Sequence, residues 1–162
     1  DKKHIVNPNI RHQFILCKEG EKLAHVVKFL SDRGEQQGLI FCRTRADTIA
    51  FGKEMEALVV SCLVFHGDLM QTERDKIMRM FKKGRARILI TTDVAARGID
   101  VEGLSFVIHY QLPEKNEYYT HRSGRTARAG KTGISLALIT RHEEKSLAQL
   151  ERQLGISFRD VG

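Results

Sequence analysis

The chain has 162 residues, 41% of them hydrophobic and 29% charged, with a formal net charge of +7. That length suits one domain and is short for two separate cores. No apolar run approaches the ~18 residues that cross a bilayer as a helix, so no membrane partner is expected, while the positive excess points to an anionic one.

Residues 1–11 are polar and lack the apolar stretch of a signal peptide, and the chain begins without Met, as expected of a piece of a larger protein. Residues 12–17 are predicted as a strand. Residues 21–33 are predicted as a helix, with Leu23, Val26, Val27 and Leu30 at i, i+3, i+4 and i+7 and Gly34 as its stop. A short strand is expected over 38–42, then a helix over 45–58 with Ala46, Ile49, Ala50 and Met55 inward, then a strand over 59–65. Thr72 with Asp75 reads as a capping box opening a helix that closes at Gly84. Further strands are expected over 87–91, 104–110 and 134–139. Thr140 with Glu143 is a second capping box, before a last helix carrying Leu147, Leu150 and Leu154 and stopped by Gly155. Near-continuous apolar strands separated by helices indicate an α/β, doubly wound domain over 1–162, its sheet mostly parallel with helices on both faces.

Cys17, Cys42 and Cys62 each lie in a strand-like stretch, odd in number and without C-x-x-C spacing. They read as reduced core thiols of a cytoplasmic protein, with neither a disulfide framework nor a metal site. The positive charge is concentrated. Residues 74–87 and 121–131 hold 11 of the 27 basic and 1 of the 20 acidic residues, and the rest of the chain sums to −3. Alone, the first window is as well explained by a solvated helix face as by a docked polyanion.

Ligands of such sheets bind where loops leave the carboxyl ends of the strands, and four segments there carry chemistry. They are Cys42, Arg43, Thr44 and Arg45; Phe65, His66, Gly67 and Asp68, followed by Gln71 and Arg74; residues 91–100, TTDVAARGID; and residues 121–130, HRSGRTARAG. Hydroxyls, small residues that expose backbone N–H groups, and arginines are what hold phosphate oxygens. Gly67 and Gly98 allow close backbone approach. Arg122, Arg125 and Arg128 recur every three residues and, on helical backbone, share one side. Three guanidinium groups together require neutralising anions, which a triphosphate or a nucleic-acid backbone would supply. A phosphate cradle of the form G-x-x-x-x-G-K-[ST] is missing: Gly130, Lys131 and Thr132 copy its end, but Arg125 occupies its first glycine. G-x-G-x-x-G is also absent, so the pattern is that of a domain completing another domain's site.

These four segments, in this order and spacing, resemble motifs IV, IVa, V and VI of DEAD-box ATP-dependent RNA helicases, and the likeness runs from about Arg11 to Leu154. His121 and Thr126 match the DEAD-box branch; Ala127 stands where many members have Gly. The resemblance implies a RecA-like, P-loop NTPase-type fold, the second such domain of a helicase, with residues 1–10 as the linker from a preceding RecA-like domain. ATP is implied, with Mg2+ held by that preceding domain. Arg125 and Arg128 would reach its γ-phosphate, Arg128 as the arginine finger, while Gly98, Asp100 and His121 line the nucleotide side. Arg43, Thr44, Gly67, Asp68, Thr92 and Arg97 would hold RNA phosphates and sugars without reading sequence, and Gln71 and Arg74 would brace that surface. An ATP-independent RNA-binding module, a DNA helicase domain and a standalone nucleotide hydrolase are the competing readings.

Overall fold

A computed structural model describes residues 6–127 and 130–162. The strands are β1 (Ile10–Leu16), β2 (Gly38–Phe41), β3 (Cys62–Phe65), β4 (Ile88–Thr91), β5 (Phe106–His109), β6 (Gly133–Ile139) and β7 (Arg159–Asp160). The helices are α1 (Lys22–Ser31), α2 (Arg45–Ala57), α3 (Gln71–Lys82), α4 (Asp93–Ala96), α5 (Asn116–Ser123) and α6 (Glu144–Leu154). Among the described residues the strands form one seven-stranded sheet in the order β3-β4-β2-β5-β6-β1-β7. All six pairings are parallel, which completes the mostly parallel expectation.

Alternation within the strands divides the core by face. Ile40, Ile88, Ile90, Phe106 and Ile108 pack on one side with Val26 and Leu30 of α1 and Phe51 and Met55 of α2. Leu39, Phe41, Leu89 and Val107 point to the other side, against Phe81 of α3 and Ala96 of α4. A third cluster places Tyr119 of α5 and Leu147 and Leu150 of α6 on Ala137 and Ile139. Gly38 is required by contact: a Cβ there would overlap the Phe106 ring of the neighbouring strand.

Several local expectations are corrected. On α2 the buried residues are Thr48, Phe51, Gly52 and Met55, while Ala46 and Ala50 are exposed and Ile49 is half-buried. The large Phe51 decides which stripe faces the sheet. β3 starts at Cys62 because Leu58 caps α2 and Val59, at φ 58 and 92% exposed, makes the turn. Helix α3 opens two residues before Thr72, on a backbone N–H of Met70 that donates to Glu73 Oε1 (3.2 Å). Asp75 instead accepts from Gln71 Nε2 (2.8 Å). At the other end of the chain, Thr140 N–H does donate to Glu143 Oε1 (2.9 Å), and Gly155 ends α6 in the left-handed region at φ 66.

Candidate functional site

The loops after β2, β3, β4 and β5 all leave the same carboxyl edge of the sheet. The late arginine segment starts there on α5, which ends at Ser123, so Arg122 and Arg125 do not share one helical face. Arg122 is 1% exposed, and its anion lies within the chain: Nε and Nη2 donate to the two carboxylate oxygens of Asp93 (2.7 and 2.8 Å). Nη1 donates to Gln111 O (2.8 Å) and lies 3.3 Å from His109 Nδ1. A fork-to-fork pair of this kind neutralises a guanidinium without any ligand, which overturns, for Arg122, the expectation that the arginines require outside anions. Arg128 lies outside the described residues.

Behind Arg122 runs a buried polar network. His109 Nε2 meets Ser135 Oγ (2.7 Å), Ser135 meets Tyr119 Oη (2.8 Å), and Tyr119 meets His12 Nδ1 (2.6 Å). Burial holds both imidazoles neutral: His12 is lowered to about 4, and His109 falls well below its usual value through burial and then the Arg122 charge.

Arg125 sits at a groove of about 350 Å3 whose lining includes Asp100, Glu102, Thr120, His121 and Gly124. Its Nη1 and Nη2 donate to Ile99 O (2.5 Å) and Ala96 O (2.8 Å), which aims the guanidinium without neutralising it. Partial burial lowers its pKa, and the nearby Glu102 and Asp100 charges oppose that shift. Asp100 and His121 are exposed. Gly98 is exposed on the α4 side and does not line this groove. Arg97, also exposed, stands apart from the other predicted RNA residues, beside a small cavity shared with His121, Arg122 and Arg125.

A second groove, of about 570 Å3, gathers Arg43, Thr44, Gly67, Asp68 and Thr92. Thr44 caps α2: its Oγ1 accepts from Asp47 N–H (3.0 Å) and donates to Asp47 Oδ2 (2.8 Å). Thr92 caps α4 by accepting from Ala95 N–H (3.2 Å). Two helix starts therefore face one groove. A Cβ on Gly67 would meet nothing within 4 Å, so its surface is open to an approaching group. Arg74 braces that loop by donating to Gly67 O (2.5 Å) and Leu69 O (3.2 Å), whereas Gln71 stays on its own helix. Arg45 pairs with Asp68 across the groove. Sequence reasoning missed Glu114, Tyr118 and Val94, which also line it. Val94, on α4 just after the buried β4, is 69% exposed, an apolar side chain left open at this groove. A further groove, about 1020 Å3 between β1 and the end of α6, contains none of the predicted site residues.

Residues 21–130 match the family model described as helicase conserved C-terminal domain. The chain is 38% identical over 153 residues to the ATP-dependent RNA helicase DbpA of Bacillus subtilis, covering 94% of this chain and 32% of that protein. It superposes on a DEAD box protein from Methanococcus jannaschii with TM-score 0.88 and 38% identity, over 96% of this chain and 43% of that one. It superposes on Saccharomyces cerevisiae Dbp5 bound to RNA and ADP BeF3 with TM-score 0.91 and 27% identity, over 99% and 44%. The chain spans between 29% and 42% of the length of the curated relatives it matches. The fold, the four loops at its carboxyl edge and these likenesses agree: the chain belongs to the helicase conserved C-terminal domain family and is the second RecA-like domain of a DEAD-box protein.

Proposed function

We propose that this domain supplies half of an ATP site and half of an RNA track, completed by a RecA-like domain elsewhere in the same protein, and that the whole acts as an ATP-dependent RNA helicase. The observation that carries the reading is the pair of grooves on one sheet edge. One holds a partly desolvated arginine that donates to two backbone carbonyls, the other holds two helix starts and an open glycine, and a small cavity shares Arg125 with the first and Asp93 with the second. The yeast relative is bound to both RNA and ADP BeF3, which supports a place for each ligand.

In this reading Arg125 and Arg128 face the γ-phosphate and stabilise the charge that develops on the transferring phosphoryl group. Asp100 and His121 line the nucleotide. Arg43, Thr44, Gly67, Asp68 and Thr92 take the sugar-phosphate backbone, which makes binding indifferent to base sequence. We assign the Mg2+ that accompanies ATP to the partner domain. Cys17, Cys42 and Cys62 are free, and burial pushes the Cys42 thiol up to about 12. We place the protein in the reducing cytoplasm, the compartment that an odd number of cysteines without C-x-x-C spacing suits.

Steady-state ATPase assays of full-length Arg125→Ala and Arg128→Ala test the assignment. Each should cut RNA-stimulated turnover ~10²-fold or more, with a much smaller change in KM for ATP. Arg128→Lys should recover little, since an ammonium cannot reproduce the planar fork. Near wild-type turnover combined with lost RNA affinity would move these arginines to the RNA track.

A further inference from the structure

The loop that follows β5 borders the second groove at Glu114, and one half-buried side chain in it, Gln111, makes hydrogen bonds in two directions. The Gln111 carboxamide Oε1 accepts from the backbone N–H of Arg43 (2.7 Å), and its Nε2 donates to Asp47 Oδ2 (3.2 Å). That carboxylate oxygen is the one that also takes the Thr44 hydroxyl (2.8 Å). Through its own backbone, Gln111 O accepts from Arg122 Nη1 (2.8 Å), and Arg122 grips Asp93, the first residue after the Thr92 cap. The loop around it is pinned: Tyr110 O accepts from the buried Lys22 Nζ (2.7 Å), and Leu112 O accepts from Arg43 Nε (2.7 Å).

The chemistry of this position calls for a carboxamide. An N–H lies on one side and a carboxylate on the other, so the side chain must accept and donate at once. A hydrocarbon does neither. A carboxylate accepts from Arg43 but has no proton for Asp47 and sets two negative charges against each other.

We propose that Gln111 is a positioning residue that couples the RNA-facing loop at Arg43 and Thr44 to the arginine segment. Occupancy of the Arg43 loop is then felt at Arg122 and, three residues on, at Arg125. The proposal rests on the functional reading above and adds a named physical link between its two halves.

The test is a double-mutant cycle in the full-length enzyme: wild type, Gln111→Glu, Asp47→Asn and the double variant, assayed for ATPase well below all four melting temperatures. Gln111→Glu keeps the acceptor for Arg43 and loses the donor for Asp47; adding Asp47→Asn returns a donor from the other side. Gln111→Glu should lower turnover at saturating RNA ~10-fold, with RNA affinity and RNA-free turnover within ~3-fold of wild type. The double variant should return to within ~3-fold of wild type. Unchanged stimulation in Gln111→Glu overturns the proposal. So does a double variant as slow as Gln111→Glu, because simple damage at position 111 is not repaired from position 47. Arg125→Ala, run alongside, separates the two ideas. Full turnover in Arg125→Ala removes the functional reading; abolished turnover there with unaffected Gln111→Glu removes only the coupling.

Discussion

Arg122 and Arg125 stand three residues apart and meet opposite environments. Arg122 is 1% exposed, closed by both oxygens of Asp93, one backbone carbonyl and the face of the Phe41 ring at 5.0 Å. Arg125, half-buried at a groove mouth, is held by two carbonyls and, among the described residues, by no carboxylate in hydrogen-bonding contact. A buried guanidinium is tolerated when the chain provides its counter-charge, and then it is part of the fold. A partly desolvated guanidinium aimed by dipoles alone keeps its charge for an outside anion, and desolvation strengthens what it offers. Two arginines of one motif are thereby separated by burial and partner into one closed within the fold and one left at a groove mouth, which residue type alone could not do.

The comparison is tested most severely at Arg122. Arg122→Ala strands Asp93, His109 and Gln111 O, and should destabilise the domain by ~3–5 kcal/mol, read as a lowered urea midpoint at constant slope. Arg125→Ala, which frees two carbonyls at a solvated mouth, should cost ~1 kcal/mol. Equal losses for the two would end the distinction drawn here.

A smaller effect comes from the network behind Arg122. His12 and His109 are neutral in the fold, with pKa values depressed below the ordinary 6.5. As pH falls the unfolded chain takes up protons first, so this part of the stability is complete above pH 6.5. It is lost as pH drops toward the folded value, about 4 for His12, at ~1.4 kcal/mol per pH unit for each imidazole. Urea midpoints at pH 7, 6 and 5 should trace that slope, and His12→Phe should remove one imidazole's share of it. A flat profile would mean that the Arg122 side of the segment is not the sealed region described.

The smallest effect lies just past Arg125. Ala127 holds φ 66, a conformation that costs a residue with a Cβ and suits glycine. Ala127→Gly should raise stability by ~0.5 kcal/mol, the relief of strain less the entropy that glycine adds to the unfolded chain. A loss on thermal melting would show that the Ala methyl contributes packing which outweighs its strain.

Much of this was legible in the residues. The four-residue strands Gly38–Phe41, Ile88–Thr91 and Phe106–His109 announce themselves because a strand covered on both faces is a near-continuous apolar run. The first three of the four segments could be placed at one edge because each follows a strand. Boundaries and faces were less legible. Alanines on α2 suggested an inward stripe that Phe51 and Met55 in fact supply, α5 is too polar to show a helical stripe, and the two residues of β7 are too few to show a period.

The residue pattern by itself determined an alternating α/β chain, its apolar strands and the family motifs in its loops, all consequences of contacts or periods within a few positions. Only the tertiary structure decided the strand order, the pairing of Arg122 with Asp93 across 29 residues, and the reach of Gln111 to Arg43 and Asp47. The reason is physical: a hydrogen bond depends on where two groups lie in space, and crossovers bring together groups that no local period relates.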